Sequence, residues 1–298
     1  MNTLATLARI AATYEAFELV QKTGSALENA MSTNPAAHEK CCCAAVAALL
    51  PPSAVDRITE MFFEKKNDSA WLKLVTSILR WAGPDALERM FIALDNEITA
   101  ANRLALLRLI ARLGPIALAP ARKRLQRPEW YVVRNACKLL GELKDPDLLK
   151  VLKDVLANRD ERVQKAALQA ILENRPPGTA TMLAEFLPRI APALLEDVFL
   201  ELIFQADPDC LPSLEKCFAL PLPAAVLWRL VSVVAALHTH PAEQLLVKIA
   251  RDEALPQNVR VAANKAIDQR SGVKPGNPKN PSSTEPGVIT QGLGYAGA

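Results

Sequence analysis

The residues best suited to binding chemistry are cations concentrated in the middle of the chain. Between Arg103 and Lys165 there are 15 Lys and Arg against 7 Asp and Glu, a net charge of +8 in a chain whose total is +3. The densest point is Arg122-Lys123-Arg124. A basic centre flanked by more acidic ends favours an acidic partner. We expect a protein with an acidic surface, and nucleic acid is the alternative for the same patch.

Two aromatic residues, Trp130 and Tyr131, follow this basic cluster, and Arg134 comes one helical turn after Trp130. Aromatic rings beside arginine are common in binding hot spots, and they also suit base stacking. In the structural alternative both rings cap a groove between neighbouring helical units while Arg134 holds the turn. We favour that alternative for Tyr131 and leave both open for Trp130. The predicted binding residues are Arg122, Lys123, Arg124, Trp130, Arg134, Lys150 and Lys153.

Residue types that perform catalysis or hold a metal do not converge in the sequence. His38 and Cys42 lie one helical turn apart, but no third ligand is evident for a zinc ion. The six cysteines fit no disulfide framework or zinc knuckle, so we interpret them as small buried residues in a reducing compartment. No phosphate loop or nucleophile elbow is recognisable. We therefore predict a non-enzymatic protein without metal or cofactor.

The first residues and the hydropathy of the chain indicate its compartment. Arg9 is the one cation before the first apolar stretch, and no small-residue cleavage site follows, which favours an amphipathic helix over a signal peptide. No run of 18 apolar residues occurs, so no membrane span is predicted. We expect a cytoplasmic protein.

The elements that must position these side chains are indicated by six regularly spaced prolines. The first four intervals are 31 residues and the last is 33, for Pro84, Pro115, Pro146, Pro177, Pro208 and Pro241. Apolar residues follow each of the first five prolines at the third, sixth and tenth positions, as in Leu149, Leu152 and Leu156. Proline suits the first position of a helix. A fixed period of about 31 residues with two helices predicts a stacked helical repeat.

A second column of residues lies on the other helix of each pair, and most of its members are cations. It contains Arg103, Arg134, Lys165, Glu196, Arg229 and Arg260. Such a row could hold a polyanion, but Glu196 favours a structural role, with each cation paired to a carboxylate such as Asp145 or Asp160 or to helix-end carbonyls. The two-residue slip in the period falls in the turn 219–223, where a repeat tolerates an insertion.

In this register the chain resembles the HEAT-repeat superfamily, in the short bacterial form of about 30 residues also found in phycobilin lyases. The residues that carry the resemblance are Val133-Arg134, Ala136, Leu139-Leu140-Gly141, Asp145-Pro146-Asp147, Leu152 and 158–163. The resemblance implies a right-handed α-solenoid of about eight helix pairs whose second helices line a concave groove. It implies a scaffold that binds a protein partner. A phycobilin-lyase-like role is a further alternative that rests on the resemblance alone.

The predicted organisation has three parts. Residues 1–68 form degenerate N-terminal repeats, and residues 69–270 form the regular array, closed by a polar capping helix near 256–269. Residues 271–298 contain six of the chain's 11 glycines and four prolines, a composition that predicts a flexible tail.

Overall fold

Helices form the fold throughout residues 17–33, 52–80 and 84–270, the part of the chain that the computed structural model describes. The helices are α1 (Phe17–Thr33), α2 (Pro52–Lys65), α3 (Ser69–Leu79), α4 (Pro84–Asn96), α5 (Ala100–Ala111), α6 (Leu118–Arg124), α7 (Trp130–Glu142), α8 (Leu148–Leu152), α9 (Glu161–Asn174), α10 (Thr179–Phe186), α11 (Leu195–Gln205), α12 (Leu211–Phe218), α13 (Ala224–Ala236), α14 (His240–Arg251) and α15 (Gln257–Arg270). No strand occurs in these ranges, and the predicted all-α solenoid is confirmed.

The chain divides into two compact units, Met1–Leu220 and Pro221–Ala298. The boundary lies inside the turn 219–223, where the repeat period changes by two residues. In the first unit the first helices of successive repeats pack on one another, α7 against both α5 and α9. In the second unit α13, α14 and α15 pack together.

The predicted apolar stripes form the core of the repeats. The middle residue of each stripe is fully buried in all five repeats, at Met90, Ala121, Leu152, Leu183 and Leu214. Burial of a leucine side chain of this kind contributes about 2 kcal/mol to stability. The helical period in the sequence therefore identified the positions that hold each pair of helices together.

Helix starts follow the prolines less closely than predicted. Pro84 is the first residue of α4, as expected for the first position of a helix. Pro115 and Pro208 instead lie in 3₁₀ turns, Gly114–Ala117 and Pro208–Cys210, which lead into α6 and α12. The fixed φ of proline is compatible with both kinds of helix, so the residue marks the start of a helical segment without setting its type.

Gly141 allows the first helices α7 and α9 to approach each other closely. A Cβ atom placed there would lie 2.9 Å from the Cβ and 3.2 Å from the Cα of Ala170 on α9. Real Cβ atoms do not come this close, so any larger residue would push α7 and α9 apart. The glycine of the repeat pattern is therefore required by stacking.

The three described cysteines are buried, as predicted, at Cys137, Cys210 and Cys217. Burial raises the pKa of Cys137 to about 12 and that of Cys210 to about 11. Thiols with such pKa values carry almost no thiolate at neutral pH and behave as small core residues. The predictions for Cys41–Cys43, His38 and the tail 271–298 lie outside the described residues.

Candidate partner-binding surface

Arg124, predicted to contact a partner, is buried between two neighbouring repeats. Its side chain is 5% exposed, with Nε donating to Asp95 and Nη2 donating to Glu88, each at 2.9 Å. Its guanidinium also lies 4.3 Å from the ring centroid of Phe91. Burial raises the pKa of Asp95, and the charge of Arg124 offsets this only in part. Arg124 therefore stabilises α6 against α4, and we remove it from the predicted binding residues.

Arg122 joins two successive repeats. Its guanidinium donates to both oxygens of Asp145, whose side chain is completely buried, and to Oδ2 of Asp147 at 2.9 Å. Asp145 also accepts a hydrogen bond from the backbone N–H of Asp147. These hydrogen bonds, first that to Asp145, raise the pKa of Arg122. The network ties α6 to the turn before α8, so most of the donor capacity of Arg122 is used internally.

Lys123, Lys150 and Lys153 are exposed on or next to the second helices α6 and α8. Lys153 forms an exposed ion pair with Glu185 at 3.2 Å, and its Nζ lies 5.6 Å from the ring centroid of Phe186. Lys123 and Lys150 have no side-chain partner among the described residues. These two lysines are therefore the members of the predicted set whose charges are most available to a partner.

Trp130 is held between two first helices. The guanidinium of Arg162 on α9 lies 3.5 Å from its ring centroid, and that of Arg134 lies 5.0 Å from it. Tyr131 packs edge-on at 5.9 Å. Arg162 is itself fixed by Asp160 at 2.7 Å. The indole thus caps the groove between repeats, which is the structural role that the sequence left open. The guanidinium of Arg162 lies over the ring, at a place where a base would otherwise stack.

Arg134 sits in a strongly positive and partly buried setting. Its Nη2 donates to Oδ1 of the buried Asn135 at 3.1 Å, and its Nε is buried without a hydrogen-bond partner in the described part of the chain. Burial lowers the pKa of Arg134, and the nearby charges of Arg103 and Arg162 lower it further. Arg134 therefore packs against Trp130, near the charges of Arg103 and Arg162.

The helix-end carbonyls predicted as partners of the cation column are found for Arg103. Its Nη1 donates to the carbonyl oxygens of Glu97 and Ile98, in the turn before α5. The carboxylates suggested for the column have other partners, because Asp145 binds Arg122 and Asp160 binds Arg162. At this position of the column, the cation therefore stabilises a turn.

The net positive charge of residues 103–165 survives the internal pairing. Its exposed cations without a side-chain partner among the described residues are Arg108, Arg112, Lys123, Lys138, Lys144, Lys150, Arg159 and Lys165. The exposed carboxylates in the same condition are Glu142, Asp154 and Glu161. Eight cations against three carboxylates leave this region basic on its surface. The spacing of residues in the sequence alone does not distinguish these exposed cations from Arg122 and Arg124, whose charges are paired internally.

Part of the chain also matches a known protein family. The model of the HEAT-repeat family matches residues 87–172 and 118–189. Residues 87–189 are HEAT repeats. The predicted resemblance to that superfamily is thereby confirmed, and the closer likeness to phycobilin lyases stays a prediction. The HEAT repeats contain α6 to α9 and therefore all seven predicted binding residues.

Comparisons with individual proteins add little to the HEAT assignment. No curated protein matches the chain at a significant level. The chain is similar to a solved structure of human deoxyhypusine hydroxylase in complex with glycerol, at 16% sequence identity and a TM-score of 0.36, over 86% of this chain and 98% of that one. At this level the similarity supports no inference about activity.

The described residues also bear on metal binding and on insertion into a membrane. No group of three or more His, Cys, Asp or Glu side chains in these ranges is placed to hold a metal ion. Among the described helices, none combines the length and apolar character needed to cross a membrane.

Proposed function

We propose that this chain is a non-enzymatic HEAT-repeat scaffold that binds a protein with an acidic surface. The observation that carries the proposal concerns the exposed charges of residues 103–165 that have no side-chain partner among the described residues: cations outnumber carboxylates. Such an excess steers an acidic partner and selects against basic ones. Lys123 and Lys150, on the second helices α6 and α8, form the centre of the proposed contact.

The internal ion pairs supply the rigidity that such a surface needs. Arg124 fixes α6 to α4, and Arg122 fixes α6 to the turn before α8, so Lys123 and Lys150 are presented from helices held in one arrangement. A surface fixed before binding loses less conformational entropy when a partner docks. Lys153 is paired with Glu185 and therefore contributes only at the rim of the contact.

A protein partner is favoured over nucleic acid by the position of Trp130. The guanidinium of Arg162 lies 3.5 Å from the centre of the indole, so the ring is not presented as an open platform for bases. The remaining exposed cations would attract a phosphate backbone, but they offer no base stacking at this position. We therefore treat nucleic-acid binding as an outcome of the test.

The proposal is tested by capturing partners with the full chain and with a Lys123→Glu/Lys150→Glu variant, followed by mass spectrometry. Reversing two unpaired charges leaves the internal pairs intact, so the variant should fold normally and lose its acidic partners. Lys138→Glu, which reverses the charge of an exposed lysine on α7, is the control and should retain the acidic partners. Capture that is the same with the double variant as with the wild type would contradict the proposal.

A titration with a labelled oligonucleotide separates the alternative. Binding of nucleic acid through this patch would weaken steeply as salt is raised. We expect the oligonucleotide to bind more weakly than the captured acidic protein at the same salt concentration. If the oligonucleotide instead binds more tightly than the protein, and the Lys123→Glu/Lys150→Glu variant loses this binding, the partner is nucleic acid.

A further inference from the structure

Two adjoining cavities form a groove bordered by α3 and α5. The larger has a volume of about 370 Å³ and is lined mainly by α3 together with Arg112. The smaller has a volume of about 180 Å³ and is lined by residues of α5 with Phe62 and Lys66. Leu72 and Arg112 line both cavities, so the two are neighbours. We refer to them together as the α3–α5 groove.

The charges that line the α3–α5 groove are all positive. Lys73, Arg80 and Arg112 line the larger cavity, and Lys66, Arg108 and Arg112 line the smaller one. No aspartate or glutamate is among the lining residues of either cavity. Lys66 donates to Oδ1 of Asn102 at 2.9 Å, but the other four cations have no side-chain partner among the described residues. Cations that line the same cavity repel one another, and a bound anion would relieve this repulsion.

Hydroxyl groups on α3 complete the polar lining of the larger cavity. Ser69, Thr76 and Ser77 border it, and Oγ1 of Thr76 is buried without a hydrogen-bond partner in the described part of the chain. Ser77 donates to the carbonyl of Leu74 at 2.7 Å. Arginine and lysine side chains are the charged donors that proteins use for phosphate oxygens.

The position of Lys73 argues against a purely local role for these cations. Arg80 and Arg112 are the C-cap residues of α3 and α5, where a cation also complements the helix dipole. Lys73 lies in the interior of α3, where no helix end accounts for it. Its side chain faces a cavity that already contains two arginines. The arrangement therefore adds charge beyond what the helix ends require.

We propose that the α3–α5 groove binds a small molecule that carries two or more phosphate groups. The larger cavity is within the size range of small-molecule sites. More than one phosphate is expected because cations line both cavities, Lys73 and Arg80 in the larger and Arg108 in the smaller. Phe62 and Leu109 provide an apolar wall in the smaller cavity for an organic part of the ligand. This site is separate from the proposed protein contact at Lys123 and Lys150.

Isothermal titration of the full chain with inorganic tripolyphosphate tests the proposal. We expect saturable binding that weakens on the order of tenfold in Lys73→Gln and again in Arg112→Gln, since each variant removes one charge-assisted contact. Lys138→Gln, which removes an exposed cation outside the groove, is the control and should bind as the wild type does. All the substituted side chains are exposed, and equal thermal unfolding midpoints without ligand would show that the variants are folded.

The outcomes separate a built site from general charge attraction. Absence of saturable binding, or equal weakening by Lys138→Gln and Lys73→Gln, would overturn the proposal. Inorganic sulfate binding as tightly as tripolyphosphate would also overturn it, because a single anion would then satisfy the groove. If a single-stranded oligonucleotide binds more tightly than tripolyphosphate, and Lys73→Gln loses this binding, the ligand of the groove is nucleic acid and not a small molecule. None of these results depends on the acidic protein partner.

Discussion

Two basic regions of the first unit use their cations in opposite ways. On α6, Arg122 and Arg124 each bind two carboxylates and stabilise the contacts between helices. In the α3–α5 groove, Lys73 and Arg112 line a cavity and have no side-chain partner among the described residues. The denser cluster in the sequence is thus the one whose charges are used internally. The comparison shows that cation density in a sequence does not measure the charge that a surface offers.

The reason lies in the distance along the chain between the partners. Asp145 follows Arg122 by 23 residues, and Glu88 precedes Arg124 by 36 residues, so each pair joins neighbouring repeats. A window of sequence centred on the cluster counts the cations and omits part of the charge that neutralises them. Only the packing of one repeat on the next brings the two together.

The largest effect that would test this comparison is expected at Arg124. Replacing it in Arg124→Met leaves Asp95 and Glu88 without their cation, and the side chain of Asp95 is largely buried. We expect the free energy of unfolding to fall by about 3 kcal/mol. Urea denaturation measures this loss. Lys123→Met, at the preceding exposed residue, is the control and should change the free energy of unfolding by less than about 0.5 kcal/mol. Equal losses in the two variants would contradict the internal role of Arg124.

Asp145 should show the next largest effect. In Asp145→Asn the buried acceptor of Arg122 loses its charge, and we expect the free energy of unfolding to fall by about 2 kcal/mol. Asp154→Asn removes an exposed carboxylate shortly after α8 and serves as the control. A stability for Asp145→Asn within error of that of Asp154→Asn would show that the network does not join the repeats.

A third cation, Arg175, extends the comparison to pH. Burial raises the pKa of its partner Glu201, but hydrogen bonds from Arg175 and Gln205 outweigh this and hold the pKa below its usual value. The stabilisation is therefore present above the usual pKa of glutamate and is lost as the pH falls through the lowered pKa. This stabilisation is small, because Arg175 is half exposed and screened by solvent. Glu201→Gln should flatten the acid limb of the stability curve, and an unchanged limb would contradict the assignment.

The smallest effect on stability is expected in the α3–α5 groove. Lys73→Gln removes a charge that no carboxylate among the described residues neutralises, so the free energy of unfolding should change by no more than about 0.5 kcal/mol. Chemical denaturation without ligand measures it. A loss as large as that in Arg124→Met would mean that Lys73 has a structural partner and that the two regions do not differ.

The fold was predictable because its determinants recur at a fixed interval. Residues such as Leu152 and Leu183 occupy the same place in each repeat, so periodicity alone identified the core. The helix starts were less predictable, since a proline such as Pro115 or Pro208 serves a 3₁₀ turn as well as an α-helix. Local sequence does not decide between these two ways of entering a helix.

The candidate sites were less accessible to sequence reasoning. Burial of Arg124 and pairing of Arg122 depend on contacts between repeats, which the sequence pattern does not show. The α3–α5 groove did leave a signal, because residues 69–84 and 98–128 contain no aspartate or glutamate. Two acid-free segments one repeat apart would have indicated cations without partners. A count of cations alone directed attention to α6.

Arginine side-chain NMR tests the central comparison most directly, because one spectrum reports every Nε–H group. Nε of Arg122 donates to Asp145 at 2.7 Å and Nε of Arg124 donates to Asp95 at 2.9 Å, so both protons should exchange slowly with water. The Nε protons of Arg80 and Arg112 should exchange rapidly and shift when tripolyphosphate is added. Rapid exchange at Arg122 and Arg124, or slow exchange at Arg80 and Arg112 without ligand, would contradict the division between internal and available cations.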